Sequence, residues 1–308
     1  MTSKKSGKVF QSTVILLTLL ISITLSGCAG KSVTTLRTAS VSEPLKESQV
    51  VKISLESEYM GKTMPAMIYL PKGYGDGQEY PVWYGLHGHS SFENMWIDKA
   101  GAAKAADELI DNGEIEPLVM VFPYIKDATL QEIQKDKADD GKFGERNIDQ
   151  YLSKELVPYI DSHYFTKTSS DGRYIGGFSM GGMIALRVAF HHPELFSKVG
   201  GHSAAVLSRD YSDKQLEQWL FPNDNFDNLT DIVKFDKDKG FDKLNVYLDV
   251  GKNDDSFSAG VQSLYDALQK RGIQSEFLLF DGGHTLRQGC IKDYLKFYTA
   301  KNEANSAD

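Results

Sequence analysis

The sequence has few cysteines, since only Cys28 and Cys290 carry a thiol among its 308 residues. Two cysteines exclude the dense disulfide framework that stabilises small secreted domains. Cys290 lies in the pattern of a C-terminal helix, where we expect it to be a small buried hydrophobic residue. Because 41% of the residues are hydrophobic, the chain can instead be stabilised by one large apolar core.

Positive charge is also scarce. The chain has 34 Lys and Arg against 42 Asp and Glu, so its formal net charge is −8. Nucleic acids and anionic membrane surfaces attract proteins that have a net basic surface. The charge balance therefore excludes nucleic acid as an electrostatic partner, and it directs attention to a site for a small molecule or a glycan.

A long apolar run occurs near the N-terminus, but it covers only residues 14–25, and about 20 residues are needed to span a membrane. Three lysines precede it, an order typical of a secretory signal. The run ends in Leu25-Ser26-Gly27-Cys28, which resembles a bacterial lipobox, a signal that is cut before the cysteine. We predict a lipoprotein signal peptide at 1–27, lipidation of Cys28, and an exported protein held on the extracytoplasmic face by this anchor alone. A simple signal peptide or an uncleaved anchor is the alternative.

The domain organisation is simple, because neither internal repeats nor a second linker divide the chain. Residues 28–48 are rich in Ser, Thr, Lys and Glu and show little apolar periodicity, which is typical of a flexible tether. We expect one domain over 49–302 and a disordered tail at 303–308.

Short apolar runs alternate with helical patterns along this domain. Strands are predicted at 50–57, 64–70, 80–86, 118–122, 174–175, 199–203, 246–250 and 277–280, and helices at 98–112, 148–160 and 261–268. The alternation predicts an α/β fold with a mostly parallel sheet that helices cover on both faces. Ligands bind such sheets at the carboxyl ends of the strands.

The strongest local motif is Gly177-Phe178-Ser179-Met180-Gly181, a Gly-x-Ser-x-Gly pattern. A short predicted strand precedes it, and a helical pattern that ends before Pro193 follows it. This strand-turn-helix order is what a nucleophile elbow requires, in which a strained serine projects its hydroxyl from a tight turn. We predict that Ser179 is a catalytic nucleophile. The alternative is a glycine-rich turn that only packs a helix on a strand.

A serine nucleophile needs a base and an anion that orients the base, and in this type of fold both follow the serine, the acid first. Asp254 follows the strand at 246–250 and is the preferred acid, Asp255 is the runner-up, and Asp249 within the strand is a candidate structural acid. His284 lies in a glycine-containing loop after the last strand, and it is the only histidine after Asp254. We therefore predict His284 as the base.

The oxyanion of such a reaction needs two backbone N–H donors, one after the nucleophile and one from the loop after the third strand. Met180 and His89 occupy these positions. His87 and His89 also form a His-x-His pair, but the sequence offers no obvious third ligand, so we predict neither a metal nor a cofactor.

Together these motifs resemble the esterase D group of α/β-hydrolases, which includes S-formylglutathione hydrolases, feruloyl esterases and enterochelin esterases. The resemblance extends over about residues 50–300 and includes Leu86-His87-Gly88, the motif around Ser179, and Gly283-His284. It implies an α/β-hydrolase fold with Ser179, Asp254 and His284 as its triad. It also implies a serine carboxylesterase whose substrate is a small-molecule or glycan ester, such as a carbohydrate-linked acetyl or feruloyl ester.

The substrate contacts are less well defined. The candidates are His87, Trp96, His202 and Trp219. The alternative for His202 is that it packs in the structure without contacting the substrate. The alternative for the aromatic residues around Trp219 is that they pack an irregular insertion against the sheet and do not bind an acyl or sugar group. Two other functions stay open. One is an acyltransferase with the same triad, and the other is a non-catalytic lipoprotein that binds a carbohydrate or siderophore.

Overall fold

The computed structural model describes residues 43–125, 145–206, 243–270, 272–287 and 289–300. All of them belong to the larger of the two units into which the chain divides, Leu36–Asp308. The predicted signal peptide, Cys28, most of the tether, the stretch that contains Trp219 and the tail at 303–308 lie outside the described residues.

Eight strands in the described part of the chain form one sheet, with the order β1-β2-β4-β3-β5-β6-β7-β8. They are β1 (Gln49–Ser57), β2 (Lys62–Leu70), β3 (Val82–Leu86), β4 (Val119–Pro123), β5 (Arg173–Phe178), β6 (Lys198–His202), β7 (Asn245–Gly251) and β8 (Ser275–Phe280). Strands β3 to β8 pair in parallel, whereas β2 runs antiparallel to both β1 and β4. The predicted mostly parallel sheet is confirmed, and each predicted strand is present with bounds shifted by a few residues.

Helices cover both faces of this sheet. They are α1 (Met95–Asp98), α2 (Ala102–Asp111), α3 (Glu145–Gln150), α4 (Val157–His163), α5 (Met180–His191), α6 (Ser258–Lys270) and α7 (Cys290–Thr299). A π-helical stretch, Tyr151–Leu156, joins α3 to α4, and a 3-10 turn, Ser170–Gly172, precedes β5. No helix within the described ranges is long and apolar enough to cross a membrane.

The core consists of two apolar clusters on opposite faces of the sheet. Successive side chains of a strand point to opposite faces. In β3, Val82 and Tyr84 accordingly join one cluster, together with side chains of α5 and α6. Trp83 joins the other cluster, with side chains of α2 and α7. The continuous apolar runs of the central strands therefore arise because both faces are buried.

Glycines in the central strands let the C-terminal helix approach the sheet closely. Gly176 of β5 and Gly200 of β6 are paired in register. A Cβ atom on Gly176 would lie 1.7 Å from the hydroxyl oxygen of Tyr298 in α7, and one on Gly200 would lie 2.0 Å from the same atom. Any side chain at either position would thus displace α7 from the sheet.

Two helices differ from their predicted form. The helix expected at 98–112 begins only at Ala102, as α2, because Gly101 before it has a φ of 69°, which is left-handed backbone; α1 ends at Asp98. The helix expected at 148–160 contains the π-helical stretch, in which Val157 donates its N–H to Leu152 O, five residues back. Pro158 follows directly, and a proline both lacks an N–H and crowds the carbonyl four residues before it.

Candidate active site

Ser179 lies in the sharp turn between β5 and α5. Its φ of 55° and ψ of −120° fall outside the regions that non-glycine residues ordinarily adopt, so the backbone is strained as a nucleophile elbow requires. A Cβ atom on Gly177 would lie 2.4 Å from the carbonyl carbon of Gly181. A glycine is therefore required at position 177, because the backbones of the strand and the helix are in direct contact there.

The structure brings Ser179, His284 and Asp254 together. Ser179 Oγ lies 2.7 Å from His284 Nε2, and His284 Nδ1 lies 2.7 Å from Asp254 Oδ2. Asp254 is only 3% exposed, whereas the side chain of His284 is 34% exposed. The carboxylate is thus shielded from water while the imidazole remains accessible. Asp255, the runner-up for the acid, is exposed, and the carboxylate in contact with His284 belongs to Asp254.

Asp254 and His284 lie on loops that follow β7 and β8, which pair in parallel and end together. Asn253 donates its N–H to Gly282 O at 2.8 Å, so the two loops are joined by their backbones. A Cβ atom on Gly251 would lie 2.4 Å from the carbonyl oxygens of Gly282 and Gly283. The glycine at the end of β7 thus lets the loop of His284 approach the loop of Asp254.

Two phenylalanines flank the imidazole of His284. The ring of Phe178 stacks on it with centroids 5.5 Å apart, and the ring of Phe257 lies at 4.7 Å. Phe257 also donates its N–H to Asp254 Oδ1 at 3.2 Å, so it contacts both the acid and the base. Neither phenylalanine was predicted to contact His284, although Phe178 lies within the serine motif and Phe257 lies three residues after Asp254.

The two proposed oxyanion donors lie next to the serine motif, since Met180 follows Ser179 and Gly88, which precedes His89, packs against Phe178. Met180 is the first residue of α5, where backbone N–H groups have no acceptor within the helix. The carbonyl of Gly88 accepts hydrogen bonds from Ser91 N at 3.2 Å and from His87 Nδ1 at 2.8 Å. Because the C=O and N–H of a trans peptide point in opposite directions, the N–H of His89 points away from these two groups.

His87 lies beneath this loop and supports it through both of its ring nitrogens. Its side chain is buried, and Ile125 donates its N–H to His87 Nε2 at 3.1 Å. Since Nε2 accepts, Nδ1 carries the proton and donates it to Gly88 O. Both ring nitrogens of His87, a predicted substrate contact, are therefore engaged by backbone groups in this structure.

Two further predicted substrate contacts also lie in the core. Trp96 is fully buried and donates its Nε1–H to Leu86 O at 3.1 Å. His202 is fully buried, stacks on Tyr294 with centroids 3.5 Å apart, and shares a hydrogen bond with Tyr298 Oη at 2.9 Å. The structure thus places Trp96 and His202 in the core, where neither side chain reaches the surface. Trp219, the fourth candidate, lies outside the described residues.

An aromatic pair with one exposed ring was not predicted from the sequence. Phe92 is 52% exposed, three residues after His89, and its ring stacks on that of Tyr124 with centroids 6.4 Å apart. The Tyr124 ring in turn lies 5.6 Å from the His87 ring, so the pair lies beside residues 87–91, which we term the oxyanion loop. The signal in the sequence was the aromatic residue that follows Leu86-His87-Gly88 on the same short loop.

The described residues contain no group of three or more His, Cys, Asp or Glu side chains that could hold a metal ion. Burial raises the pKa of the Cys290 thiol to about 11, which keeps it protonated near neutral pH. Cys290 therefore lacks the thiolate that a second nucleophile would need.

The chain matches a known protein family and several known proteins. A family model described as Putative esterase matches residues 57–290. The endo-1,4-beta-xylanase/feruloyl esterase of Xylanibacter ruminicola is 26% identical over 246 residues, which make up 77% of this chain and 29% of that protein. The chain thus corresponds to only a part of that relative.

Solved structures share the architecture. A ferulic acid esterase superposes with a TM-score of 0.72 at 22% identity, over 83% of this chain and 98% of the other. An S-formylglutathione hydrolase from Agrobacterium tumefaciens superposes with a TM-score of 0.67 at 19% identity, over 83% and 96% of the two chains. At these identities the likeness shows the fold, and the predicted α/β-hydrolase fold is confirmed.

Proposed function

The chain belongs to the Putative esterase family, and from this premise we propose that it is a serine esterase that hydrolyses a carboxylic ester through a covalent acyl-enzyme. The observation that carries the proposal is the continuous hydrogen-bonded chain from Ser179 through His284 to Asp254. A serine hydroxyl is a poor nucleophile near neutral pH, and this chain supplies the base and the orienting anion that it lacks.

In the acylation step, Ser179 Oγ attacks the ester carbonyl carbon while His284 Nε2 takes the hydroxyl proton. Asp254 keeps the imidazole in the required tautomer and stabilises the imidazolium that forms. The carbonyl oxygen becomes an oxyanion. When the tetrahedral intermediate collapses, the bond to the alcohol oxygen breaks, and His284 gives its proton to the leaving alcohol.

The oxyanion is stabilised by the backbone N–H groups of Met180 and His89. Donors that are fixed before the reaction need no reorganisation as the charge develops, and loss of one donor costs about 10²- to 10³-fold in kcat. Met180 also lies at the N-terminus of α5, a helix of 12 residues whose positive end adds to the stabilisation.

In the deacylation step, water takes the place of the alcohol. His284 Nε2 accepts a proton from that water, the resulting hydroxide attacks the acyl carbon, and the proton returns to Ser179 Oγ as the acid product leaves. An acyltransferase would use the same intermediate with an alcohol in place of water. Analysis of products in the presence of added acceptor alcohols distinguishes these two outcomes.

For the substrate we propose a carbohydrate-linked ester with an acetyl or feruloyl acyl group. Two observations support this class. The relative from Xylanibacter ruminicola is named as a feruloyl esterase as well as a xylanase, and the exposed Phe92 offers an aromatic surface next to the oxyanion loop. Rates on feruloylated and acetylated xylan oligosaccharides, beside the free methyl esters, test it. Equal rates on sugar-linked and free esters would contradict a carbohydrate preference.

We also propose that the protein is exported and held on the extracytoplasmic face by a lipid on Cys28. The sequence Leu25-Ser26-Gly27-Cys28 supports this location. A labelled fatty acid supplied to bacteria that express the protein should be incorporated into the wild type and not into Cys28→Ala. Equal labelling of both proteins would exclude lipidation at this cysteine.

The mechanism is tested by a serine-directed phosphonate that traps the nucleophile. The purified protein should gain one phosphonyl group, which peptide mapping places on Ser179. Ser179→Ala should gain none, and Ser90→Ala, which lacks a nearby exposed serine, should still be labelled. Failure to label the folded wild-type protein would favour a non-catalytic binding function.

A further inference from the structure

A short segment after β6, residues 202–205, contacts the nucleophile on both sides. Ser179 donates its N–H to the carbonyl of His202 at 3.0 Å, and Ala205 donates its N–H to the carbonyl of Ser179 at 3.0 Å. Residues 202–205, which we term the bridging segment, therefore fix the backbone of the elbow. Ser203 lies in the middle of this segment and is fully buried.

The side chain of Ser203 links the bridging segment to the loop of the base. Its Oγ donates a hydrogen bond to the carbonyl of Thr285 at 2.8 Å, and Thr285 directly follows His284 in the chain. On the other side of His284, the carbonyl of Gly282 accepts the N–H of Asn253 at 2.8 Å. Hydrogen bonds thus hold the loop on both sides of His284. The one from Ser203 connects the loop to the bridging segment, which contacts the nucleophile.

The backbone of Ser203 is itself strained and held by a buried acid. Among the described residues, three other than glycine have positive φ: Ser90 next to His89, the nucleophile Ser179, and Ser203 with 43°. Strained backbone persists where the surroundings impose it, and it concentrates at functional sites.

Asp249, a fully buried carboxylate on β7, supplies that constraint on Ser203. The N–H of Ser203 lies 2.9 Å from the carbonyl oxygen of Asp249 and 3.0 Å from its Oδ1. The second carboxylate oxygen of Asp249 accepts the hydroxyl of Tyr294 from α7. Asp249, which the sequence marked as a candidate structural acid, therefore holds Ser203 in the conformation that directs its hydroxyl at Thr285.

We propose that Ser203 is a positioning residue of the reaction, which sets the distance between Ser179 and His284 through its hydrogen bond to the Thr285 carbonyl. This inference rests on the triad roles proposed above. His284 lies in a loop with two glycines and is partly exposed, so its position depends on such ties. Without the Ser203 hydroxyl, the Thr285 carbonyl turns to water and the loop is released on one side. Misplacement of a catalytic group by about 1 Å can cost about 100-fold in rate.

The test compares Ser203→Ala and Ser203→Gly in the full chain, with a nitrophenyl ester as substrate. Both variants remove the hydroxyl. Glycine adopts positive φ without strain, so Ser203→Gly separates loss of the hydrogen bond from loss of stability. Ser153→Ala is the matched control, because Ser153 Oγ also donates to a backbone carbonyl, that of Asp149, at 2.7 Å, and the π-helical stretch in which it lies carries no triad residue.

We expect both Ser203 variants to lose about 10- to 100-fold in kcat with KM nearly unchanged, and Ser153→Ala to keep the wild-type kcat. The proton resonance of the hydrogen bond between His284 Nδ1 and Asp254 should broaden in the Ser203 variants and persist in the control. A wild-type kcat in folded Ser203→Gly, or a loss that only follows the fraction of unfolded protein, would overturn the proposal.

Ser179→Ala, measured in the same assay, separates this proposal from the function that underlies it. If Ser179→Ala is inactive and the Ser203 variants are fully active, only the positioning role fails. If Ser179→Ala is as active as the wild type, the triad itself fails, and the positioning role is overturned with it.

Discussion

Gly181 of the nucleophile elbow lies in backbone contact with His87 of the oxyanion loop, since a Cβ atom on Gly181 would lie 2.4 Å from the His87 carbonyl oxygen. The second glycine of the serine motif is therefore required by the close approach of the loop that carries His89, the second proposed oxyanion donor. The elbow and the oxyanion loop form one packed unit, and a change in either is expected to displace the other.

Gly181→Ala tests this contact. The added methyl group meets backbone atoms that cannot move aside cheaply, so we expect a loss of about 1–3 kcal/mol in the free energy of unfolding, together with a large loss of kcat. Gly283→Ala is the control for stability, because its Cβ would have its nearest neighbour at 3.7 Å, which is ordinary contact. Equal stability of Gly181→Ala and wild type in chemical denaturation would show that the contact is not tight.

His87→Ala tests the support of the oxyanion loop. The substitution removes the donor to Gly88 O and the acceptor for Ile125 N–H. We expect kcat to fall by up to about 100-fold with little change in KM, because the His89 donor is displaced while the triad is intact. The rate of phosphonate labelling should fall in parallel. A higher KM at constant kcat would instead indicate that His87 binds the substrate.

Asp149 joins α3 to the end of the nucleophile helix, because its carboxylate contacts His191 Nδ1 at 3.1 Å and His192 Nε2 at 2.6 Å. The hydrogen bond to Asp149 raises the pKa of His192 above its usual 6.5. Although burial acts in the opposite direction, hydrogen bonds from the two histidines hold the pKa of Asp149 below its usual 3.8.

The interaction between Asp149 and His192 makes the stability of the fold depend on pH. The contribution of His192 to the free energy of unfolding is fully present below about pH 6.5 and is lost as the pH rises through its raised pKa. The contribution of Asp149 to the free energy of unfolding is lost only in strong acid, because its pKa is lowered. We expect Asp149→Asn to lower the Tm more at pH 5 than at pH 8. The control Asp281→Asn removes an exposed pair with Lys252 and should show no such difference. A larger effect at pH 8 would contradict this assignment.

Phe92→Ala tests whether the exposed ring of the Phe92–Tyr124 pair contacts the acyl group of the substrate. If the acyl group stacks on the Phe92 ring, its loss should raise KM for a feruloyl ester by about 2- to 10-fold and leave acetyl ester hydrolysis unchanged. Leu279→Ala, which truncates an exposed apolar side chain on the edge strand β8, is the control. An equal effect of Phe92→Ala on both esters would show that the ring does not contact the acyl group.

The sheet and the order of Ser179, Asp254 and His284 could be predicted because they depend on local signals. Buried strands are continuous apolar runs, and the three side chains each follow the carboxyl end of a strand. The surroundings of His202 could not be predicted in this way. His202 shares its face of β6 with Gly200, and the space above that glycine is filled by Tyr298 from α7. This contact joins residues almost 100 positions apart, and no local pattern reports it.

The burial of Trp96 could not be predicted for a similar reason. An aromatic residue shortly after the oxyanion loop can face a substrate or the core, and the choice here follows from Trp83 of β3, whose ring centroid lies 5.1 Å from that of Trp96. Phe92, on the same loop, points outward instead. Which of the two aromatics is exposed depends on how α1 packs on the sheet, which the sequence of the loop alone does not specify.

Steady-state hydrolysis of a short-chain nitrophenyl ester by the wild type, Ser179→Ala, His284→Ala and the double variant tests the central claim most directly. If the three residues act as a unit, each single variant should lose about 10⁶-fold in kcat, and the double variant should lose no more than either alone. A wild-type rate in folded Ser179→Ala, or losses that multiply in the double variant, would contradict the triad.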